Sequence, residues 1–155
     1  MDQRAFQDLV DWECFACGRL HEHGLKIKSY WSGDEVICTW QPDHSFVGHP
    51  GRVHAGLIAT VMMCHVVWAA TALAHRKAKR DICEPIDFTY GTKSFKLDLF
   101  KPFPIQSRVA FRAKVKDMKA EEATVLCSAY VDDEEHARSE ALLFRFVPEA
   151  RRPGT

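Results

Sequence analysis

The chain has 155 residues, and its 21 basic residues balance 21 acidic ones, so the formal net charge is zero at pH 7. A neutral chain lacks the field that draws proteins to nucleic acid or to anionic membranes, and we expect neither as a partner. The length predicts a single domain, residues 1–155, that can bury a sizeable core.

Cysteine usage and the N-terminal residues indicate the compartment. The six cysteines lie in varied settings rather than in a compact framework. Residues 1–12 are mixed and charged, unlike a secretory signal. We therefore expect a cytoplasmic protein with reduced thiols.

The chain begins with short elements. Residues 1–13 form a predicted N-terminal extension, with an amphipathic helix over Ala5–Trp12. A loop rich in Cys, His and Gly follows over Glu13–Gly24. Alternating apolar residues then predict a hairpin of two strands and an irregular loop, over Leu25–Trp31, Glu35–Gln41 and Pro42–Val53.

An apolar run over Leu57–Ala74 dominates the chain. It predicts a helix from about Ala55 to Lys79, which must be buried on every side because it has no polar face. The run is about long enough to cross a membrane, but His65 in its middle favours a core helix. We interpret the basic patch at its end, His75–Arg80, as a complement to the helix dipole.

A break at Asp81–Pro85 separates the helix from four runs with alternating apolar residues. These runs predict an antiparallel meander followed by a frayed tail at 148–155. The predicted strands are Ile86–Phe100, Ile105–Asp117, Ala123–Val131 and Arg138–Val147. A curved antiparallel sheet wrapped around the single long helix is one of few compact solutions, and this predicts an α+β fold.

Three segments resemble motifs of hotdog-fold thioesterases of the PaaI-like group. Cys14–Leu25 resembles the opening C-x-x-C-G-x-x-N-P-x-G-L, and His49–Gly56 resembles P-G-x-x-H-G-G. Lys101–Pro104 resembles the "rPvP" that ends a strand. The resemblance covers Cys14–Val147 and implies the hotdog fold, a curved antiparallel sheet around a long central helix.

The resemblance also implies a function and a site. It implies hydrolysis of an acyl-CoA or acyl-carrier thioester, without a cofactor, by a homodimer or homotetramer whose sites lie between subunits. Backbone N–H at Gly56, helped by Ala55, would polarise the carbonyl, while His54 shapes the turn. Thr92 would reach in from the facing subunit. The predicted substrate-binding residues are Phe46, Gly48, Pro50, Gly51, Ala55, Met63 and Phe95.

The sequence departs from this pattern at Gly48, where some members have Asn, at Ala55, which replaces the second motif Gly, and on the helix. The family's helix carboxylate corresponds to Met63, and residues 57–78 contain no Asp or Glu. We take His49, in the loop before the helix, as the preferred substitute base, and interpret His65 as a core histidine. Cys64 would be a structural thiol at the pocket edge. The alternative function is a hotdog protein that binds acyl-CoA or an apolar small molecule without turnover.

The opening cysteines allow a second interpretation. Cys14, Cys17, His21 and His23 carry the ligand types of a zinc site. The two histidines are closer together than the usual spacing, however, and the family resemblance gives the same cysteine pair without a metal. The metal-free interpretation is favoured.

Overall fold

The computed structural model describes residues 3–149. Within them, one long helix and six strands form, besides two short 3₁₀ turns: β1 (Ser29–Ser32), β2 (Glu35–Trp40), α1 (Ala55–Lys77), β3 (Thr89–Leu99), β4 (Val109–Met118), β5 (Glu122–Val131) and β6 (Glu134–Phe146). The strands make one antiparallel sheet, and α1 packs against all six. The predicted α+β architecture is confirmed.

The predicted meander is wrong at one connection. The sheet order is β1-β2-β4-β5-β6-β3, so β3 pairs with β6 and not with β4. Strands β4 to β6 do form a meander. Alternation along a strand determines which side chains face the core, but it does not determine which strand lies alongside. As a result, β3 lies at an edge of the sheet.

The N-terminal elements are shorter than predicted. The amphipathic helix is a single 3₁₀ turn, Phe6–Leu9. The first strand begins only at Ser29, because the residues before it are tied to the cysteine loop: Leu25 N–H donates to Phe15 O and Ile27 N–H to Ala16 O. Residues 147–149 carry no regular structure, and the rest of the predicted tail lies outside the described residues.

Helix α1 is enclosed along most of its length. It is buried from Ile58 to His75 except for a half-buried stripe that includes Thr60, Met63, Cys64 and Val67. By length and composition alone α1 is apolar enough to cross a membrane, but core helices pass the same test. Its burial against the sheet agrees with a core helix.

His75 does not belong to the exposed basic patch predicted at the end of α1. It is buried, its Nδ1 lies 2.8 Å from Thr71 O, and its ring stacks on Phe88 at 4.1 Å. Arg76 and Lys77 remain exposed in the last turn, where cations suit the helix dipole.

Candidate functional site

A cavity of about 680 Å³ opens at the N-terminal end of α1. Two segments line it: the loop that leads into the helix and the turn that follows β3. Backbone hydrogen bonds join these segments, from Val53 N to Phe103 O (2.8 Å) and from Ile105 N to Gly51 O (3.0 Å). The lining residues are Val47, Gly48, His49, Arg52, Val53, His54, Ala55, Leu99, Phe100, Lys101, Pro102 and Phe103.

Four of the residues predicted from the sequence line this cavity: Gly48, His49, His54 and Ala55. Gly48 lets the loop pack closely on the helix cap, because a Cβ there would lie only 3.0 Å from His54 Cα. The other predicted residues lie outside the lining: Phe46, Pro50, Gly51, Gly56, Met63, Thr92 and Phe95. The cavity therefore brings together part of the loop and the first residue of α1, but not the predicted positions farther along the helix or on β3.

The start of α1 presents one free backbone donor. His54 caps the helix, since its Nδ1 accepts the Gly56 N–H at 3.0 Å. The predicted donor Gly56 is therefore occupied in this geometry, and it would reach an oxyanion only if the imidazole turned away. The Ala55 N–H has no partner within residues 3–149. Ala55 also avoids a positive φ, so its methyl group is tolerated in place of the family's glycine.

The cavity lining carries basic groups and no carboxylate. His49 is exposed, and its ring has no hydrogen-bond partner among the described residues. Lys101 forms an ion pair with Glu134, while the Arg52 guanidinium has no ion-pair partner within residues 3–149. The lining therefore favours an anionic ligand.

His65 is not available as a base. It is fully buried, with Nδ1 2.8 Å from Ser29 Oγ and Nε2 3.0 Å from Val36 O. Burial lowers the pKa of His65 to about 4, so the ring is neutral near pH 7. The interpretation as a core histidine is confirmed. Met63 is half-buried on the stripe of α1 that the sheet leaves uncovered.

Three of the predicted residues, Phe46, Pro50 and Gly51, shape the loop before α1 without lining the cavity. Phe46 stacks on Trp40 at 6.1 Å, and its carbonyl accepts the His54 N–H at 2.9 Å. Pro50 and Gly51 form an exposed turn in which Gly51 has φ +76°. That turn needs the glycine, because other side chains rarely adopt this backbone conformation.

Two predicted residues lie on edge strand β3. Thr92 is half-buried beside an irregularity in the pairing with β6. Phe95 lines a smaller cavity of about 400 Å³ on the sheet, away from the helix start. Within one chain neither residue reaches the main cavity.

The cysteine loop meets α1 at a cluster of three thiols. The sulfurs of Cys14, Cys17 and Cys64 all lie within 4.8 Å of one another, and this group includes neither His21 nor His23. Of the four residues in the less favoured zinc alternative, only Cys14 and Cys17 belong to this group. Cys64 points to the loop and not to the pocket edge, since it lies 3.7 Å from Cys14.

The cluster favours one negative charge on Cys14. Thiol hydrogen bonds from Cys17 and Cys64, with backbone N–H from Cys17 and Ala16, lower the pKa of Cys14. The hydrogen bonds that Cys17 and Cys64 make to the Cys14 sulfur, together with burial, raise the pKa values of those two thiols. The Cys17 sulfur also accepts the Trp68 indole N–H at 3.3 Å.

Sequence reasoning missed the second wall of the cavity, Leu99–Phe103. The signal was present in the strand-ending segment Lys101–Pro104, which was noted as a motif but not as part of a site. His136 supports this turn from the sheet, with its Nδ1 3.0 Å from Pro102 O.

The fold was compared with known proteins. Neither a protein-family model nor a curated protein matches the sequence. A thioesterase-superfamily structure from Shewanella loihica is 24% identical with a TM-score of 0.63, over 79% of this chain and 93% of that one. A thioesterase-family structure from Silicibacter pomeroyi is 22% identical with a TM-score of 0.63, over 80% and 87%.

The PaaI protein of the E. coli phenylacetic acid degradation operon has a TM-score of 0.65 at 10% identity, over 79% of this chain and 80% of that one. The chain has the hotdog fold. The presence of PaaI among these structures agrees with the PaaI-like resemblance of the sequence motifs. Identities this low establish the fold, and the activity has to be argued from the site.

Proposed function

We propose that this hotdog protein is a thioesterase that hydrolyses an acyl-CoA or a carrier-bound acyl group. The observation that carries the proposal is the cavity at the start of α1. It brings a free backbone N–H and two exposed histidines to the dipole end of a buried helix. Such a helix start stabilises the negative charge that develops on a thioester oxygen during attack.

Two donors serve the oxyanion. The first donor is the Ala55 N–H, which is free. The second is the Nε2–H of the His54 ring. Because Nδ1 accepts from Gly56, the proton of the neutral ring lies on Nε2, which can donate. One well-placed donor of this kind contributes about 3–4 kcal/mol to the transition state.

His49 is the general base. It takes a proton from a water molecule, the hydroxide attacks the carbonyl carbon, and the thiolate leaves with that proton. A positioned base typically contributes about 10²–10⁴-fold. Arg52 and Lys101 suit the phosphate groups of CoA or of a carrier's prosthetic arm, because cations bind phosphate by charge-assisted hydrogen bonds.

The complete site needs a second copy of the chain. The outer edge of β3 pairs with no strand among residues 3–149, and exposed strand edges are templates for another strand. The first turn of α1 is exposed in the single chain as well. A partner subunit that docks along β3 would place its own β3 hydroxyl near the cavity, as the resemblance implies for Thr92.

A second function, binding without hydrolysis, is favoured by one observation. Neither α1 nor the cavity lining contains an Asp or Glu, and Met63 occupies the position of the family's carboxylate. In that case the same cavity holds an acyl-CoA or apolar ligand and turns none of it over.

The test is thiol release from a panel of short, long and aromatic acyl-CoAs. We expect His49→Ala to lower the wild-type rate by about 10²–10⁴-fold. His44→Ala is the matched control, since His44 is exposed in the same loop but lies outside the main cavity, and we expect no change.

The other outcomes are also informative. Equal rates in His49→Ala and wild type would disprove His49 as the base. A wild type that binds acyl-CoA and releases no thiol, but becomes active as Met63→Asp, would establish the binding function. A stable monomer of 17.7 kDa in solution would contradict the shared site.

A further inference from the structure

The three-thiol cluster is separate from the cavity, and none of its members lines it. Cys14 and Cys17 come from the N-terminal loop, whereas Cys64 comes from the middle of α1. The Cys14 and Cys64 sulfurs are 3.7 Å apart. Two sulfurs on one tetrahedral Zn²⁺, each bonded at about 2.3 Å, are separated by about 3.8 Å. The observed separation is therefore that of two ligands on one metal, and it is too long for a disulfide.

The loop has the local shape of a metal-binding turn. Gly18 N–H donates to Cys14 O at 2.8 Å, which closes a tight turn around the two loop cysteines. A Cβ at Gly18 would overlap the backbone of Cys14 and Trp12, so only glycine fits. The spacing C-x₂-C is the usual one for a cysteine pair on zinc.

The surroundings suit bound thiolates. The Trp68 indole N–H donates to the Cys17 sulfur, as outer partners do when they orient a metal ligand. Cys17 is buried, while Cys14 and Cys64 are half-buried. Cysteine binds zinc as the thiolate, so a divalent metal would balance much of the charge of three such ligands.

We propose that Cys14, Cys17 and Cys64 form a site for a thiophilic cation, Zn²⁺, that fastens the N-terminal loop to the central helix. No other His, Cys, Asp or Glu within residues 3–149 brings a ligand atom into this group, so water completes the tetrahedron. Soft thiolate ligands select zinc over hard cations such as Mg²⁺ and Ca²⁺. The role is structural, since the site lies outside the cavity where hydrolysis is proposed.

The experiment measures zinc per chain by mass spectrometry in protein purified in reductant without chelator. We expect about one equivalent in the wild type and a fall of about tenfold or more in Cys64→Ser. The matched control is Cys83→Ser, an exposed cysteine outside the cluster, which keeps its zinc. The double variant His21→Ala/His23→Ala keeps its zinc as well, which separates this site from the set predicted by sequence.

A second measurement does not depend on the folding of any variant. In the reduced wild-type protein, Cys14, Cys17 and Cys64 should resist alkylation until a chelator is added, whereas Cys83 reacts with or without it. Replacement by Co²⁺ should give a sulfur-to-cobalt charge-transfer band and the visible bands of tetrahedral cobalt.

Several results would overturn the proposal. These are less than about a tenth of an equivalent of metal after reconstitution with Zn²⁺ or Co²⁺, undiminished zinc in Cys64→Ser, and zinc loss in the histidine double variant. A Cys14–Cys64 disulfide in the protein as purified, or preferential binding of Cu⁺, would also overturn the assignment of zinc.

Discussion

The first turn of α1 and the rest of the same helix are opposite environments. Ala55 and Gly56 are exposed, Leu57 is half-buried, and the neighbouring His49 and His54 line a cavity. From Ile58 onward the helix is mostly enclosed, and its buried polar side chains have partners inside the protein. The same helix thus contributes its enclosed part to the core and its first turn to the cavity. Histidines with identical chemistry have different surroundings here, because His49 and His54 are exposed beside the cavity while His65 and His75 are buried.

The largest effect on stability should come from a substitution in the enclosed part of α1. Trp68 is 1% exposed and packs on Trp12 with ring centroids 5.1 Å apart. We expect Trp68→Ala to lower the free energy of unfolding by about 3–5 kcal/mol, because it leaves a large cavity. Urea unfolding checks this. Phe100→Ala, at a cavity-lining residue that is 54% exposed, should stay within about 0.5 kcal/mol of the wild type. Similar losses of unfolding free energy in both variants would contradict the difference between the enclosed helix and the exposed cavity wall.

His65→Leu should have the next largest effect. The apolar side chain leaves Val36 O without its buried partner, which costs about 1–3 kcal/mol of unfolding free energy. The rate of thioester hydrolysis per folded molecule should not change, since neither ring nitrogen of His65 reaches the cavity. A rate loss as large as that expected for His49→Ala would show that the enclosed part takes part in the chemistry.

A smaller effect on stability than that of His65→Leu should come from the exposed turn at His54. His54→Ala removes the cap on Gly56 N–H and should cost about 0.5–2 kcal/mol in thermal or urea unfolding. His54→Asn restores a capping oxygen and should unfold like the wild type. Both variants should lose about 10²–10³-fold in hydrolysis rate, because both lack the Nε2 donor. Full activity in His54→Asn would mean that His54 only caps the helix.

The sequence predicted what depends on local pattern. The apolar run located α1 to within two residues at its C-terminal end, and alternation found all six strands, with starts that differ by up to four residues. The motif loop at His49–Gly56 was placed correctly at the start of the helix. These predictions succeeded because burial and periodicity act over neighbouring residues.

Contacts between distant segments were not predictable in the same way. Nothing local to β3 shows that it pairs with β6. Cys64 lies 50 residues from Cys14, and its place within an apolar run gave no sign that the loop would reach it. The wall at Leu99–Phe103 likewise faces the helix start only after the chain has folded back.

The bonds that hold the cavity together are made by the backbone. Val53 N to Phe103 O and Ile105 N to Gly51 O fix the two walls, and the side chains of His49, Arg52 and Phe100 contribute nothing to these bonds. Such side chains can be substituted while the backbone of the two walls keeps its position, as is general for loops on a rigid scaffold. The cavity wall can accordingly change by single substitutions, and so accept different ligands, with little cost to folding.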